Sequence, residues 1–197
     1  VLLLQHWTEP ETVGYYNGSL TIAEFLWLIP SAVQLALLQR VSQHWKRNEI
    51  GEIQSQASVV TRYVVLITAL LSIGIAALAN DFVPLYFGEE FRPSIVPLVL
   101  LLPGVVGFAA ARPTLAINQA RRSLRPVILA TAACSAVNLG LNVVLIPPFG
   151  MIGAAVATSI GYGSLVVFHT VTARMLGYYP YRDMDIGRSV VLIGLTA

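Results

Sequence analysis

The sequence has few charged side chains and only one cysteine, and each shortage excludes a class of protein. Charged residues make up 11% of its 197 positions, whereas an ordinary soluble domain has about 25%. Hydrophobic residues make up 56%, which suits a surface solvated by lipid. Because Cys134 is the single cysteine, this chain has no internal disulfide and no cysteine-based metal cluster. The composition therefore predicts a membrane protein.

The motifs of soluble enzymes are also missing. The sequence contains no GxxxxGK[ST] loop for phosphate and no HExxH zinc motif. The histidines, His6, His44 and His169, are scattered along the chain and are expected at membrane interfaces. A net charge of +2, with basic residues that alternate with apolar stretches, does not make the basic patch of a nucleic-acid-binding protein. We therefore expect no cofactor, no metal site, no nucleic-acid partner and no enzymatic activity.

Five apolar segments are long enough to cross a bilayer as helices. A helix needs about 20 residues to cross a hydrocarbon core of roughly 30 Å. The predicted spans, one to five, cover residues 19–39, 58–79, 94–116, 127–146 and 151–173. Residues 1–7 resemble the end of an earlier span, and residues 176–197 a cytoplasmic linker and the start of a sixth. The chain opens without Met and stops in an apolar run, so we expect a fragment of a longer protein.

The basic residues are sorted into every second gap between the spans. All twelve Lys and Arg residues except Arg92 fall in or beside three alternate gaps. Because basic loops stay on the cytoplasmic side, the predicted cytoplasmic loops are residues 40–57, 117–126 and 174–185. The predicted external loops are then residues 8–18, 80–93 and 147–150. Aromatic residues such as Tyr15 and Tyr16 flank the spans, as expected of rings at a membrane interface.

Span four carries a stripe of uncharged polar side chains. They fall at helical positions i, i+4, i+7 and i+11, and therefore on one face. The stripe consists of Thr131, Ser135, Asn138 and Asn142. Such a stripe either hydrogen-bonds to a neighbouring helix or lines a water-filled path, and the sequence leaves both interpretations open.

Small residues and prolines predict how the helices pack and turn. Span five has a smooth face that lets another helix approach closely, formed by Gly153, Ala157 and Gly161. Gly104 and Gly107 are expected to add flexibility to span three. Between spans four and five, Pro147 and Pro148 are expected to end one helix, while Gly150 allows the turn.

Two charged residues inside predicted spans need an explanation. An Arg or Asp at the middle of a membrane helix costs about 2.5–3.5 kcal/mol. Arg112, near the end of span three, either reaches back to the cytoplasmic interface or faces the interior and binds a phosphate with its planar set of donors. Glu24, in span one, either reaches external water or acts as a coupling or gating carboxylate.

Three stretches of the sequence resemble a known transporter family. They read Val-Gly-Tyr-Tyr at 13–16 leading to Leu-Ile-Pro-Ser-Ala at 28–32, Leu-Tyr-Phe-Gly-Glu-Glu-Phe-Arg at 85–92, and Leu-Asn-Val-Val-Leu-Ile-Pro at 141–147. In this order and spacing, they are similar to the C-terminal half of polysaccharide-biosynthesis flippases of the multidrug/oligosaccharidyl-lipid/polysaccharide exporter superfamily. Many relatives have a proline before the cytoplasmic end of the helix that matches span one, where this chain has Leu38, Gln39 and Arg40.

The resemblance implies two six-helix lobes around a central cavity. Residues 1–175 would form most of the C-terminal lobe, and the N-terminal lobe would lie outside this chain. A lipid-linked oligosaccharide would move from the cytoplasmic to the external leaflet of the cell membrane by alternating access, without catalysis. The expected fold class is all-α, a polytopic transmembrane helix bundle with five complete spans and a truncated sixth.

The candidate site residues follow from the charges, the stripe and the resemblance. A diphosphate drawn into a bundle of low dielectric needs hydrogen-bond donors and positive charge there. Arg112 is the first candidate for this role, and Arg121 and Arg122 are candidates for recruiting head groups at the cytoplasmic mouth. The other candidates for the cavity wall are Thr131, Ser135, Asn138, Asn142 and Glu24.

Two other functions are compatible with a polytopic bundle. A cation-coupled drug or metabolite exporter of the same superfamily would favour acidic residues that face the cavity, yet Glu24 is the single carboxylate well inside a predicted span. A membrane-embedded polysaccharide polymerase or ligase would need large external loops with paired acidic, Arg or His residues. Because the predicted external loops are short, the flippase interpretation is favoured.

Overall fold

Helices make up nearly all of the described part of the chain. The computed structural model describes residues 2–120, 124–175 and 177. Within these residues there is no strand, and a 3-10 helix interrupts a series of α-helices. The elements are α1 (Leu2–Trp7), α2 (Pro10–Phe25), α3 (Leu28–Lys46), α4 (Ile50–Phe87), the 3-10 helix (Glu89–Ser94), α5 (Ile95–Ala120) and α6 (Leu124–Met175).

Several of these helices are long and apolar enough to cross a membrane. Among the described residues, α4, α5 with the 3-10 helix, and α6 meet this test, and α2 and α3 together form a fourth candidate that is bent by 40°. α4 exposes large apolar side chains along its length, including Val59, Ile67 and Leu78, which suits contact with lipid. The predicted fold class, an all-α polytopic helix bundle, is confirmed.

The helices extend into segments predicted as loops. α3 ends at Lys46 and α4 begins at Ile50, so the connection predicted at 40–57 is confined to residues 47–49. α4 continues to Phe87, and the 3-10 helix occupies much of the rest of the segment predicted to be external. The predicted loops are too long because apolar length measures only the crossing of the hydrocarbon core, whereas a helix continues into the head-group region.

α6 reverses its direction at Gly150. The helical path continues through both prolines before this residue, although the sequence predicts that they end it, and turns where Gly150 adopts φ 55° and ψ −130°. A side chain is disfavoured at this positive φ, which glycine adopts freely. We call residues 124–149 the first arm and residues 151–175 the second arm. The arms lie side by side, since the Asn138 Nδ2 donates to the Ala157 carbonyl at 3.1 Å.

The smooth face of the second arm packs on the first arm. A Cβ atom at Gly153 would collide with the Leu145 carbonyl, and a Cβ atom at Gly161 would lie 2.8 Å from Asn138 Nδ2. The contacts pair later residues of one arm with earlier residues of the other, so the arms are antiparallel. The close approach predicted for this face is made by the helix that immediately precedes it.

α5 and the second arm touch at their backbones. A Cβ atom at Gly104 would lie 2.5 Å from the Ser159 Cα, and one at Gly107 would lie 3.0 Å from the Gly163 Cα. The structure therefore gives these two glycines a role in close packing, whereas the sequence suggests flexibility. The packing role depends on a partner helix that is distant along the chain, which local sequence does not identify.

α2, α3 and α5 run in the same direction. Near the start of α5, the Ser19 hydroxyl of α2 donates to the Ser94 carbonyl at 2.7 Å. Near the end of α5, Gln34 of α3 is hydrogen-bonded to Gln119 at 3.0 Å. This common direction is the one that alternate crossings require of spans one and three.

Two apolar clusters form the core at different levels of the bundle, and a further level lies between them. One cluster joins α1, α2, α4, α5 and α6, and includes Tyr16, Leu98, Val105 and Ile146. The other joins α3, α4, α5 and the end of α6, and includes Leu37, Ile53, Ile117 and Ala173. Along α5, residues 106–115 lie between these clusters and carry Phe108 and Arg112. The candidate site lies at and next to this level.

Candidate functional site: a polar cleft and an arginine inside the bundle

A cleft of about 530 Å³, lined by both apolar and polar side chains, opens between α2 and the two arms of α6. Its polar wall residues include Tyr16, Glu24, Thr131, Ser135, Asn138 and Thr158. The structure thus brings Glu24 of α2 together with most of the polar stripe on the first arm. Polar groups inside an apolar bundle are costly unless they meet water or a polar ligand, so the cleft is the candidate binding site.

The polar stripe both lines the cleft and joins helices. Thr131 and Ser135 are exposed on the cleft wall, whereas Asn138 also donates to the second arm. Asn142 lies beyond the wall, and its Nδ2 donates to the Asn138 carbonyl at 2.8 Å and to Asn138 Oδ1 at 3.0 Å. Thr131 and Ser135 therefore line the cleft, Asn138 both lines it and bonds to the second arm, and Asn142 bonds within its own arm.

Tyr16 and Thr158 complete the cleft, and the sequence does not predict their role. The Tyr16 hydroxyl lies 3.0 Å from Thr158 Oγ1 and donates to the Ala154 carbonyl at 3.4 Å, which ties α2 to the second arm. Tyr16 is 2% exposed, so its ring is enclosed by the protein. The sequence shows that a tyrosine lies near the start of a span, but it does not show which helix packs against that tyrosine.

Glu24 lies at the end of α2, just before the bend. Its side chain is exposed and lines the cleft as well as a neighbouring groove with Thr21, Trp27 and Ser31. The carboxylate therefore has access to whatever fills either space. Its use as a coupling or gating group stays a prediction.

Arg112 lies between α3 and α5 and is not part of the cleft wall. Its Nη1 donates to Gln34 Oε1 at 2.7 Å, and its guanidinium carbon lies 3.8 Å above the centre of the Phe108 ring. Phe108 is one turn earlier on α5, so the side chain points towards the middle of this helix. The Nε atom is buried and has no hydrogen-bond partner among the described residues.

A layer of aromatic rings separates Arg112 from the cleft. Trp27 stacks on Phe108 with ring centres 4.8 Å apart, and Tyr162 contacts both rings, at 5.4 Å and 5.6 Å. Tyr162 also lines the cleft. Trp27 lies at the bend between α2 and α3, so a change in that bend would move the layer.

The remaining residues that the sequence proposes for the site lie outside the part of the chain that the structure describes. Arg121 and Arg122, proposed from the sequence to recruit head groups, lie outside the described residues, as does the linker from 178 onwards. In the ranges that the structure covers, no three His, Cys, Asp or Glu side chains come together in a way that would hold a metal ion.

The bundle of apolar helices, several of them long enough to cross a membrane, defines a multi-pass membrane protein. A match to a family profile then assigns the protein to a particular family. The profile of the family described as Lipid II flippase MurJ matches residues 7–195, and the chain belongs to this family. The resemblance to lipid-linked glycan flippases seen in the sequence is thereby confirmed.

A curated relative supports the same assignment. The chain is 29% identical over 161 residues to the probable low-salt glycan biosynthesis flippase Agl15 of Haloferax volcanii. The matched region covers 80% of this chain and 33% of the relative, so the chain spans about a third of the length of that protein. No solved structure matches the chain. Neither comparison favours the drug exporter or the polysaccharide polymerase.

Proposed function

We propose that this chain forms the C-terminal lobe of a flippase that moves a lipid-linked glycan from the cytoplasmic to the external leaflet of the cell membrane. The observation that carries the proposal is the polar cleft inside an apolar bundle of this family. The other lobe would come from the rest of a longer protein, and the two lobes would alternate access to a shared cavity. The transfer needs no covalent step, so no catalytic residue or cofactor is assigned.

The chemistry of the cleft suits a glycan head group. Hydroxyl and amide groups from Thr131, Ser135 and Asn138 offer both donors and acceptors to sugar hydroxyls. Arg112, one aromatic layer away, offers positive charge to a phosphate. The exposed apolar faces of α4 and α6 remain in contact with lipid, as does the tail of the substrate.

Filling the cleft tests this function. A Ser135→Trp substitution in the full-length protein is expected to reduce glycan export severely, because the indole would occupy the space that the head group needs. Export is measured as surface glycan in a strain that depends on the variant, with the amount of inserted protein measured in parallel.

Gly140 on the same arm provides a matched control. A side chain at this position meets no atom within 4 Å, so Gly140→Trp adds the same ring away from the cleft wall and is expected to leave export near the parental level. Equal export by the Ser135→Trp and Gly140→Trp proteins, at equal insertion, would show that the cleft does not hold the substrate.

The proposed orientation can be tested with single cysteines in a Cys134→Ser background. Glu52, in the first turn of α4, and Glu90, in the 3-10 helix, are both exposed. An impermeant thiol reagent applied to intact cells is expected to label Glu90→Cys and to leave Glu52→Cys unlabelled until the cells are opened. The reverse pattern would invert the proposed topology.

A further inference from the structure

Two glutamines hold the side chain of Arg112 from one side. Arg112 Nη1 donates to Gln34 Oε1 at 2.7 Å, and Gln34 Nε2 donates to Gln119 Oε1 at 3.0 Å. Gln34 is 7% exposed, so its amide has little access to water. Each hydrogen bond therefore matters, because a buried amide group without a hydrogen-bond partner is destabilising.

We call the hydrogen bonds that link Gln119, Gln34 and Arg112 the relay, and the donors and acceptors of these side chains fix its direction. Arginine only donates hydrogen bonds, so the amide of Gln34 must present its oxygen to Arg112. The nitrogen of the same amide then points away and needs an acceptor, which Gln119 supplies. A flipped Gln34 amide would place N–H against N–H at Arg112, and so Gln119 controls Arg112 through Gln34.

The relay holds Arg112 without neutralising it. An arginine within a membrane bundle is usually paired with a carboxylate or with backbone carbonyls. Among the described residues, the ion pairs are His44 with Glu49 and Arg92 with Glu89, and neither involves Arg112. Arg112 instead contacts the amide oxygen of Gln34 and the face of the Phe108 ring. The guanidinium is thus held by partners that do not neutralise its positive charge.

We propose that Gln34 and Gln119 are positioning residues that aim the Arg112 guanidinium at a phosphate group of the lipid-linked substrate; this inference rests on the proposed function. Gln34 lies on α3, beyond the bend at Leu26 and Trp27, so the relay also makes the aim of Arg112 depend on the position of α3. Replacing either glutamine weakens phosphate capture even though neither touches the phosphate.

The test uses the full-length protein in nanodiscs of neutral lipid, with farnesyl diphosphate and farnesol as probes. The Gln34→Leu and Gln119→Leu variants are expected to lose about tenfold in affinity for farnesyl diphosphate, the loss that about 1.4 kcal/mol produces. Their affinity for farnesol is expected to stay unchanged. Gln39→Leu, at an exposed position on the same helix, is the matched control and keeps both affinities.

A Gln34→Glu variant separates positioning from simple packing. The new carboxylate would hold Arg112 by a charge-assisted bond, so the thermal midpoint of unfolding is expected to match or exceed that of the parent. It would also neutralise the guanidinium, so affinity for farnesyl diphosphate is expected to fall. If the Gln34→Glu protein keeps the parental affinity for farnesyl diphosphate, the Arg112 guanidinium does not meet the phosphate, and this result would overturn the inference.

The outcomes also separate this inference from the proposed function. If the parent protein prefers the diphosphate over the alcohol and both leucine variants keep that preference, the relay is overturned and the function stands. If the parent binds diphosphate and alcohol equally, the proposed phosphate recognition fails and the relay fails with it. If a leucine variant at position 34 does not fold, the Gln119→Leu and Gln34→Glu proteins give the same decision.

Discussion

The Gly104→Ala protein is expected to be strongly destabilised and to unfold at a clearly lower temperature than the parent. The added Cβ atom would lie 2.5 Å from the Ser159 Cα and 2.9 Å from the Ser159 carbonyl oxygen. Both are backbone atoms, so no side-chain rotation relieves the collision, and α5 must move away from the second arm. Overpacking of this kind costs about 1–3 kcal/mol or more. The measurement is the unfolding midpoint of the purified full-length protein, together with its folded fraction by size-exclusion chromatography.

Two other glycines serve as controls for this prediction. Gly74 in α4 and Gly140 in the first arm have no atom within 4 Å of a Cβ position. Alanine there avoids the collision and favours the helix by up to about 1 kcal/mol, so Gly74→Ala and Gly140→Ala are expected to be as stable as the parent or more so. If Gly104→Ala matches these two proteins in stability, α5 and the second arm do not pack as the structure shows.

The second large effect is expected from the Arg112→Ala substitution in the full-length protein. Hydrogen bonds that involve a charged group contribute about 1.5–3 kcal/mol, so loss of the guanidinium is expected to lower glycan export by about tenfold to a hundredfold. Arg112→Lys keeps the charge but loses the planar set of donors, and an intermediate rate is expected. Export is measured as surface glycan and is normalised to the amount of inserted protein.

Arg174 provides the control for Arg112. It is exposed at the end of α6, where a basic residue is expected to serve topology alone. Arg174→Ala is therefore expected to export at close to the parental rate. Parental export by an Arg112→Ala protein that is inserted normally would remove Arg112 from phosphate binding and would leave it a structural role between α3 and α5.

The comparison of Gly104 with the polar stripe shows where sequence reasoning works. Thr131, Ser135 and Asn138 are spaced by the helical repeat, so their common face follows from local geometry. Whether that face meets a cleft or a helix is a different question, since Ser135 lines the cleft whereas Asn138 also donates to the second arm. Gly104 has no local pattern that separates flexibility from close packing, because the difference lies in the distant residue Ser159.

The sequence does not predict the roles of Thr158, Gln34 and Tyr16 in the site for the same reason. Thr158 adjoins the smooth face of span five, and Gln34 is a polar residue in the middle of span one, so each carries a weak signal in the sequence. Neither signal identifies a partner. Tyr16 supplies the opposite case, since its position beside Tyr15 suggests the interface although its hydroxyl lies against the second arm.

The sequence by itself determined the class of this protein and its apolar helices, because composition and helical periodicity act over short stretches of chain. Its family was indicated separately, by the resemblance of three stretches to known flippases. The sequence also singled out Arg112 as a charge that needs an explanation. Only the tertiary structure decided that Arg112 rests on Phe108 and Gln34, that α2 and α3 are bent at Trp27, and that a cleft opens beside them. These features depend on which distant segments meet, and periodicity predicts the face that a residue occupies without predicting what that face contacts.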